Sequence, residues 1–91
     1  MKIRWTEEAA VDLEQIGLYV AEDNLQAALR TVNTIYERIE QLCDFPYRGR
    51  IGREPGTREL VLAPSPYIVV YRVVEFTIEI LHIVHGAQNR P

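Results

Sequence analysis

The sequence predicts an α+β domain: an N-terminal strand, an antiparallel helix hairpin and a mainly antiparallel sheet under it, in the order β-α-α-β-β-β. Three observations predict it. The stretch RELVLAPSPYIVVYRVVEFTIEILHIVH, Arg58 to His85, holds three short runs rich in Val, Ile and Leu, cut by Pro64-Ser65-Pro66 and by Glu75-Phe76. That is the spacing of a three-stranded antiparallel meander. The two segments ahead of it repeat apolar residues every three or four positions, the period of a helix with one buried face. A sheet this apolar needs one face shielded, and the two helices supply the shield. With 91 residues the chain makes one domain, 1–91, which buries roughly 60–65% of its unfolded surface.

Met1 to Trp5 alternates, Ile3 against Lys2 and Arg4, as a short strand does. Thr6 then stands as an N-cap, with Glu7 and Glu8 in the first turn, where the helix dipole favours negative charge. Ala9, Leu13, Ile16 and Val20 form the core-facing stripe of this first helix, which runs out at Asp23-Asn24. Val11 and Leu18 fall on its opposite side among Asp12, Glu14 and Glu22, a hint of a partner surface. Asn24 caps a second helix from about Leu25 to Cys43, whose stripe is Ala28, Val32, Ile35, Ile39 and Leu42. This helix has a second apolar flank, Leu25, Leu29, Tyr36 and Cys43, which either packs on the sheet or stays open for another chain. Asp44 to Thr57, with three glycines and two prolines, reads as a long connection without regular structure, either a functional loop or a glycine-rich crossing over the core edge. In Tyr67 to Val74 every second residue can face the helices, and Arg72 shares a face with Ile68, Val70 and Val74. In Thr77 to His85 both faces are mixed, so alternation alone does not say which looks inward.

Composition excludes several functions. No run approaches the length of a membrane span and the N-terminus lacks a signal peptide, so a cytoplasmic protein is expected. Cys43 is the single cysteine, which leaves no internal disulfide and reads as a small buried hydrophobe. His82 and His85 are three apart in a strand, hence on opposite faces, so no metal site is expected, and nothing demands a cofactor. Charge is uneven. Met1 to Asp44 carries four basic and nine acidic residues, net −5, whereas Phe45 to Pro91 carries six basic and four acidic, net +2. Arg48, Arg50, Arg53 and Arg58 fall close together, either an anion-recognition surface or a solvated loop whose arginines pair with Asp44, Glu54 and Glu59.

A strand, a helix hairpin, a Gly/Arg-rich loop with GTREL at Gly56 to Leu60, PYIVVYRV at Pro66 to Val73 and IEILHIVHGAQNRP at Ile78 to Pro91 together resemble the RelE/ParE toxin superfamily over nearly the whole chain. The resemblance implies the toxin half of a type II toxin-antitoxin pair, such as those that stabilise plasmids, with a small cognate antitoxin as partner in a hetero-oligomer. Its RelE-like branch consists of ribosome-dependent mRNA endoribonucleases whose pattern sets an Arg after the first Tyr of Tyr-x-x-x-Tyr. Here that position is Ile68, and the later Arg position falls on Gln88. A nuclease would need cations about the scissile phosphate, and a pI near 5.3 suits ribosomal docking poorly. The resemblance therefore implies a ParE-like toxin that inhibits DNA gyrase by binding, without catalytic residues of its own. The alternative is a RelE-like nuclease with a rearranged set, Arg58, Arg72, His85 and Arg90, and a further alternative is a non-toxic binding module or decayed toxin. Expected target contacts are Arg53, Arg58, Arg72, His85, Gln88 and Arg90. Expected antitoxin contacts are Val11, Leu18, Leu29, Tyr36 and Arg50.

Overall fold

Thr6 and Asn24 each start a helix by giving an oxygen to an N–H that the helix leaves unpaired. In the computed structural model, which describes residues 1–88, Thr6 Oγ1 accepts from the Ala9 N–H at 3.2 Å and Asn24 Oδ1 from the Ala27 N–H at 3.0 Å. The strand Lys2–Trp5 (β1) leads into helix Glu7–Ala21 (α1), and helix Leu25–Gln41 (α2) follows. Strands Arg50–Ile51 (β2), Arg58–Val61 (β3), Tyr67–Val74 (β4) and Thr77–His85 (β5) complete the fold, with a 3-10 turn at Gly86–Gln88. They form one five-stranded sheet in the order β1-β5-β4-β3-β2. β1 runs parallel to β5, and the other pairs are antiparallel.

The helix hairpin covers one face. Ala9 and Leu13 of α1, Ile35 and Ile39 of α2 with Leu42 just beyond it, and Leu60, Val69, Tyr71, Ile78, Ile80 and Ile83 of the sheet are all buried in a single cluster. In β4 the buried side is Tyr67, Val69, Tyr71 and Val73, so Arg72 lies on the outer face. β5 looked mixed because its alternation reverses in the middle. Val70 is opposite His82 and Tyr71 is opposite Ile80, which leaves Leu81 as the extra residue of a β-bulge. Ile78 and Ile80 point inward before it, and Ile83 points inward after it.

Asp44 to Thr57 is not wholly irregular. β2 pairs Arg50 with Glu59 and Ile51 with Arg58, a ladder too short to leave a periodic signal. Buried Tyr71 holds the approach to it: its hydroxyl donates to Pro46 O at 2.8 Å and accepts from the Gly49 N–H at 2.9 Å. Glycine is required there, because a Cβ on Gly49 would stand 2.7 Å from the Tyr71 ring.

The second flank of α2 stays open. Leu25, Leu29 and Tyr36 are exposed, and only Cys43 is half-buried. Tyr36 packs against Trp5 of β1 with ring centroids 5.3 Å apart and the planes tilted by 50°.

Candidate functional site

The outer face of the sheet, turned away from the helices, is where cationic residues meet. Glu59 of β3, Val70 and Arg72 of β4 and Leu81 and His82 of β5 floor a cavity of about 510 Å³ that Arg53 borders from the loop between β2 and β3. Its charges are largely committed. Arg50 donates two bonds to Glu59 Oε1, at 2.8 and 3.0 Å, over a carboxylate that is buried. Glu79 bridges Arg72 and Arg4 across three strands. The hydrogen bond from Arg72 holds the Glu79 carboxyl below the usual carboxylate range, against the opposing effect of burial. Arg53 and Arg72 thus share one hollow, as two of the expected target contacts.

The other expected cations lie elsewhere. Arg58 sits on the helix side of β3, where its Nη1 donates to Gly49 O at 2.9 Å and Tyr47 O at 3.3 Å while the guanidinium covers the Tyr47 ring. It ties the loop down. His85 is at the far end of β5, opposite Tyr67, six residues from Glu79 and so about 20 Å from Arg72 along the strand. Its Nδ1 accepts from the Ala87 N–H at 3.1 Å, and its ring meets Tyr67 edge-on at 5.7 Å. Arg58, Arg72 and His85 therefore do not converge on one phosphate-sized hollow, because the pleat and the length of β5 hold them apart. Gln88 belongs to the closing 3-10 turn, and Arg90 lies outside the described residues.

The expected antitoxin contacts divide in three. Leu18, Leu29 and Tyr36, with Leu25 and Val32, line an apolar groove of about 430 Å³ between α1 and α2. Gly17 allows the helices to close up beneath it, since a Cβ there would press Val32 at 3.3 Å. Val11 stands on a different side of α1, with Glu7, Glu8, Asp12 and His82. Arg50 is on the sheet edge with Glu59.

Two features escape sequence reasoning. Asp12 Oδ2 accepts from the Ile83 N–H at 3.0 Å and lies 3.3 Å from His82 Nδ1, fastening α1 beside the bulge. Asp12 is 70 positions from His82 and 71 from Ile83 in the chain, and no local pattern links them. Phe76, 82% exposed, tips the β4–β5 hairpin. Among the described residues no group of three or more His, Cys, Asp and Glu is set to hold a metal ion, and no helix is long and apolar enough to cross a membrane.

Comparison with known proteins follows the fold. The family described as the ParE toxin of the type II toxin-antitoxin system parDE matches residues 3–90. The chain is 43% identical over 90 residues to Y4kP of Sinorhizobium fredii, across 99% of this chain and 93% of that one. It is 32% identical over 87 residues to toxin RelE2 of Caulobacter vibrioides, across 96% and 97% respectively. A chain from the chromosomal ParDE system of P. aeruginosa shares the fold with a TM-score of 0.82 and 34% identity, over 93% of this chain and 95% of that one.

Proposed function

Because the chain belongs to the ParE toxin family of type II toxin-antitoxin systems, we propose that it arrests growth by binding its target, DNA gyrase, and that a cognate antitoxin neutralises it in the cytoplasm. The observation that carries binding over cutting is Ile68. Where the ribonuclease pattern requires a guanidinium, this chain has an aliphatic side chain that is 6% exposed and packed near Gly86. Stabilising charge on a cleaved phosphate needs a cation aimed at it. A buried isoleucine supplies none. The separation of Arg58, Arg72 and His85 supports the same reading, because a base and its electrostatic partners must share one hollow.

Target contact is assigned to the outer-face arginines, Arg53 and Arg72, and to the C-terminal segment from His85 through Gln88 to Arg90. Arg58 contributes by holding the segment ahead of β2, at Tyr47 and Gly49. The antitoxin is assigned to the apolar groove of Leu18, Leu29 and Tyr36, which is exposed and large enough to matter in a domain this small. The carriage of the pair on a plasmid, as a stabilisation module, is part of the same proposal.

The test is a pair of assays on the purified chain: DNA supercoiling by gyrase, and translation by ribosomes with mRNA cleavage mapped. Loss of supercoiling without cleavage is expected. Cleavage phased to codons overturns the proposal in favour of a ribosome-dependent nuclease, and inactivity in both assays favours a binding module.

A further inference from the structure

A buried phenol without a partner marks another hollow, on the helix side of the sheet. Tyr67, the first residue of β4, is 8% exposed, and among the described residues nothing hydrogen-bonds its hydroxyl. Buried hydroxyls in folded proteins almost always bond a partner, so one that the chain itself leaves unpaired points to a ligand. Tyr67 lines a cavity of about 650 Å³ between α1 and the ends of β4 and β5, with Asp12, Gln15 and Tyr19 on the helix wall and His85 beside it on the sheet wall. Burial raises the Tyr67 pKa and the phenol of Tyr19 raises it further, so the two rings stand close enough to feel each other's charge.

The walls are built from fixed pieces. Asp12 Oδ2 accepts from the Ile83 N–H at 3.0 Å and lies 3.3 Å from His82 Nδ1, while Oδ1 has no partner among the described residues. His85 Nδ1 accepts from the Ala87 N–H, and its ring meets Tyr67 edge-on. Tyr19, which is 70% exposed, stands at the mouth.

The chemistry of this lining selects its ligand. Its one carboxylate is Asp12 and no Lys or Arg lines it, so a phosphate or carboxylate ligand would meet like charge with nothing to offset it. Asp12 Oδ1, the two phenol oxygens and the Gln15 carbonyl can all accept. Acceptors beside aromatic rings suit a planar cation, whose N–H groups fill the acceptors while its face lies on a ring. An ammonium has no flat face and holds its water more tightly. We propose that this hollow binds an alkylguanidinium, either a free compound or the arginine side chain of a partner protein, with its N–H groups on Asp12 and Tyr67 and its plane against Tyr19. The inference does not depend on which target the chain arrests.

The experiment titrates the isotope-labelled full chain with butylguanidinium and with butylurea, its neutral counterpart of the same shape, and then with acetyl-arginine amide. Butylguanidinium is expected to shift the amide signals of Ile83 and His85 and to bind at least about ten-fold more tightly than butylurea. Acetyl-arginine amide binding at the same signals names a protein side chain as the ligand, and its exclusion while butylguanidinium binds names a free compound. Tyr67→Phe is expected to bind about five- to ten-fold more weakly. It is also expected to unfold in urea at a midpoint no lower than that of the parent chain, because the hydroxyl it removes has no bond to lose. Gln15→Glu, at an exposed position, adds a second carboxylate and is expected to tighten butylguanidinium about three-fold or more. Equal affinity for butylguanidinium and butylurea, shifts confined to the outer face of the sheet, or a Tyr67→Phe chain that binds as the parent does overturns the proposal. A Tyr67→Phe chain destabilised as by the loss of a buried hydrogen bond overturns it too.

Discussion

At the scale of the residue, Tyr71 shows how one side chain positions a loop. It is fully buried, and its hydroxyl satisfies both Pro46 O and the Gly49 N–H. Tyr71→Phe leaves those two groups unpaired and is expected to cost about 1–3 kcal/mol, read from the midpoint of urea unfolding. Burial raises the Tyr71 pKa above its ordinary value, opposed by the Gly49 backbone bond and by Arg58. Glu79 works in the opposite sense. Arg72 holds its carboxyl below the usual value of 4.5, so its contribution to stability is present above that value and is lost as pH falls through the lower, folded one. Glu79→Gln should lower stability at neutral pH and leave it little changed at acid pH, where Glu79 is protonated in any case, so that the acid limb of stability against pH is flatter. An acid limb identical to that of the parent chain would mean that Glu79 is not among the groups that set it. The side chain of Arg58 was readable as a cation but not as a loop tie, because its acceptors are carbonyls of residues with no charge to announce them.

At the scale of the element, the α1–α2 hairpin has an inner face that follows its sequence stripe and an outer groove that stays uncovered. Leu29 is 58% exposed on that groove, so truncating it removes little buried area. Leu29→Ala is expected to change stability by less than about 1 kcal/mol and to weaken antitoxin binding by about 1–2 kcal/mol, measured by calorimetry of both. A large loss of stability with unchanged affinity would make Leu29 a packing residue. The helices were legible because caps and a period of 3.6 residues are local: Thr6, Asn24 and the stripe Ala28, Val32, Ile35, Ile39 needed no knowledge of their partners. The second flank, Leu25, Leu29 and Tyr36, was not, since apolar spacing is the same whether a sheet or a foreign chain covers it.

At the scale of the whole molecule, the sheet is uneven in stability from centre to edge. β4 is paired on both sides from Ile68 to Tyr71 and lies under the helices, whereas β2 holds two residues by a single neighbour. Amides of Val69 to Tyr71 should exchange with solvent only through global unfolding, and those of Arg50 to Thr57 much sooner through local opening, in a native-state hydrogen-exchange experiment. Equal protection of both would mean that the Tyr71 clamp docks the loop as firmly as the core. The uneven charge of the two halves is also a property of this scale. The net −5 of Met1 to Asp44 lies mostly on α1 and the turns that end the helices, whereas Arg72 on the outer sheet face and Arg53 in the loop beside it lie on the other side of the sheet from the apolar groove.

What the sequence by itself determined is the α+β class, the order of the longer elements, both caps and the helix stripes, because each is written in spacing along the chain; the likeness to a toxin family was carried instead by motifs such as GTREL and PYIVVYRV. Only the tertiary structure decided that Leu81 bulges and reverses the faces of β5, that Arg50 and Ile51 pair with β3, that Arg58 and His85 stand apart from Arg72, and that one flank of α2 and the edge of β1 remain open. Those outcomes depend on which distant residues come within bonding reach. Periodicity records that a side chain has a face, and packing alone determines what that face meets.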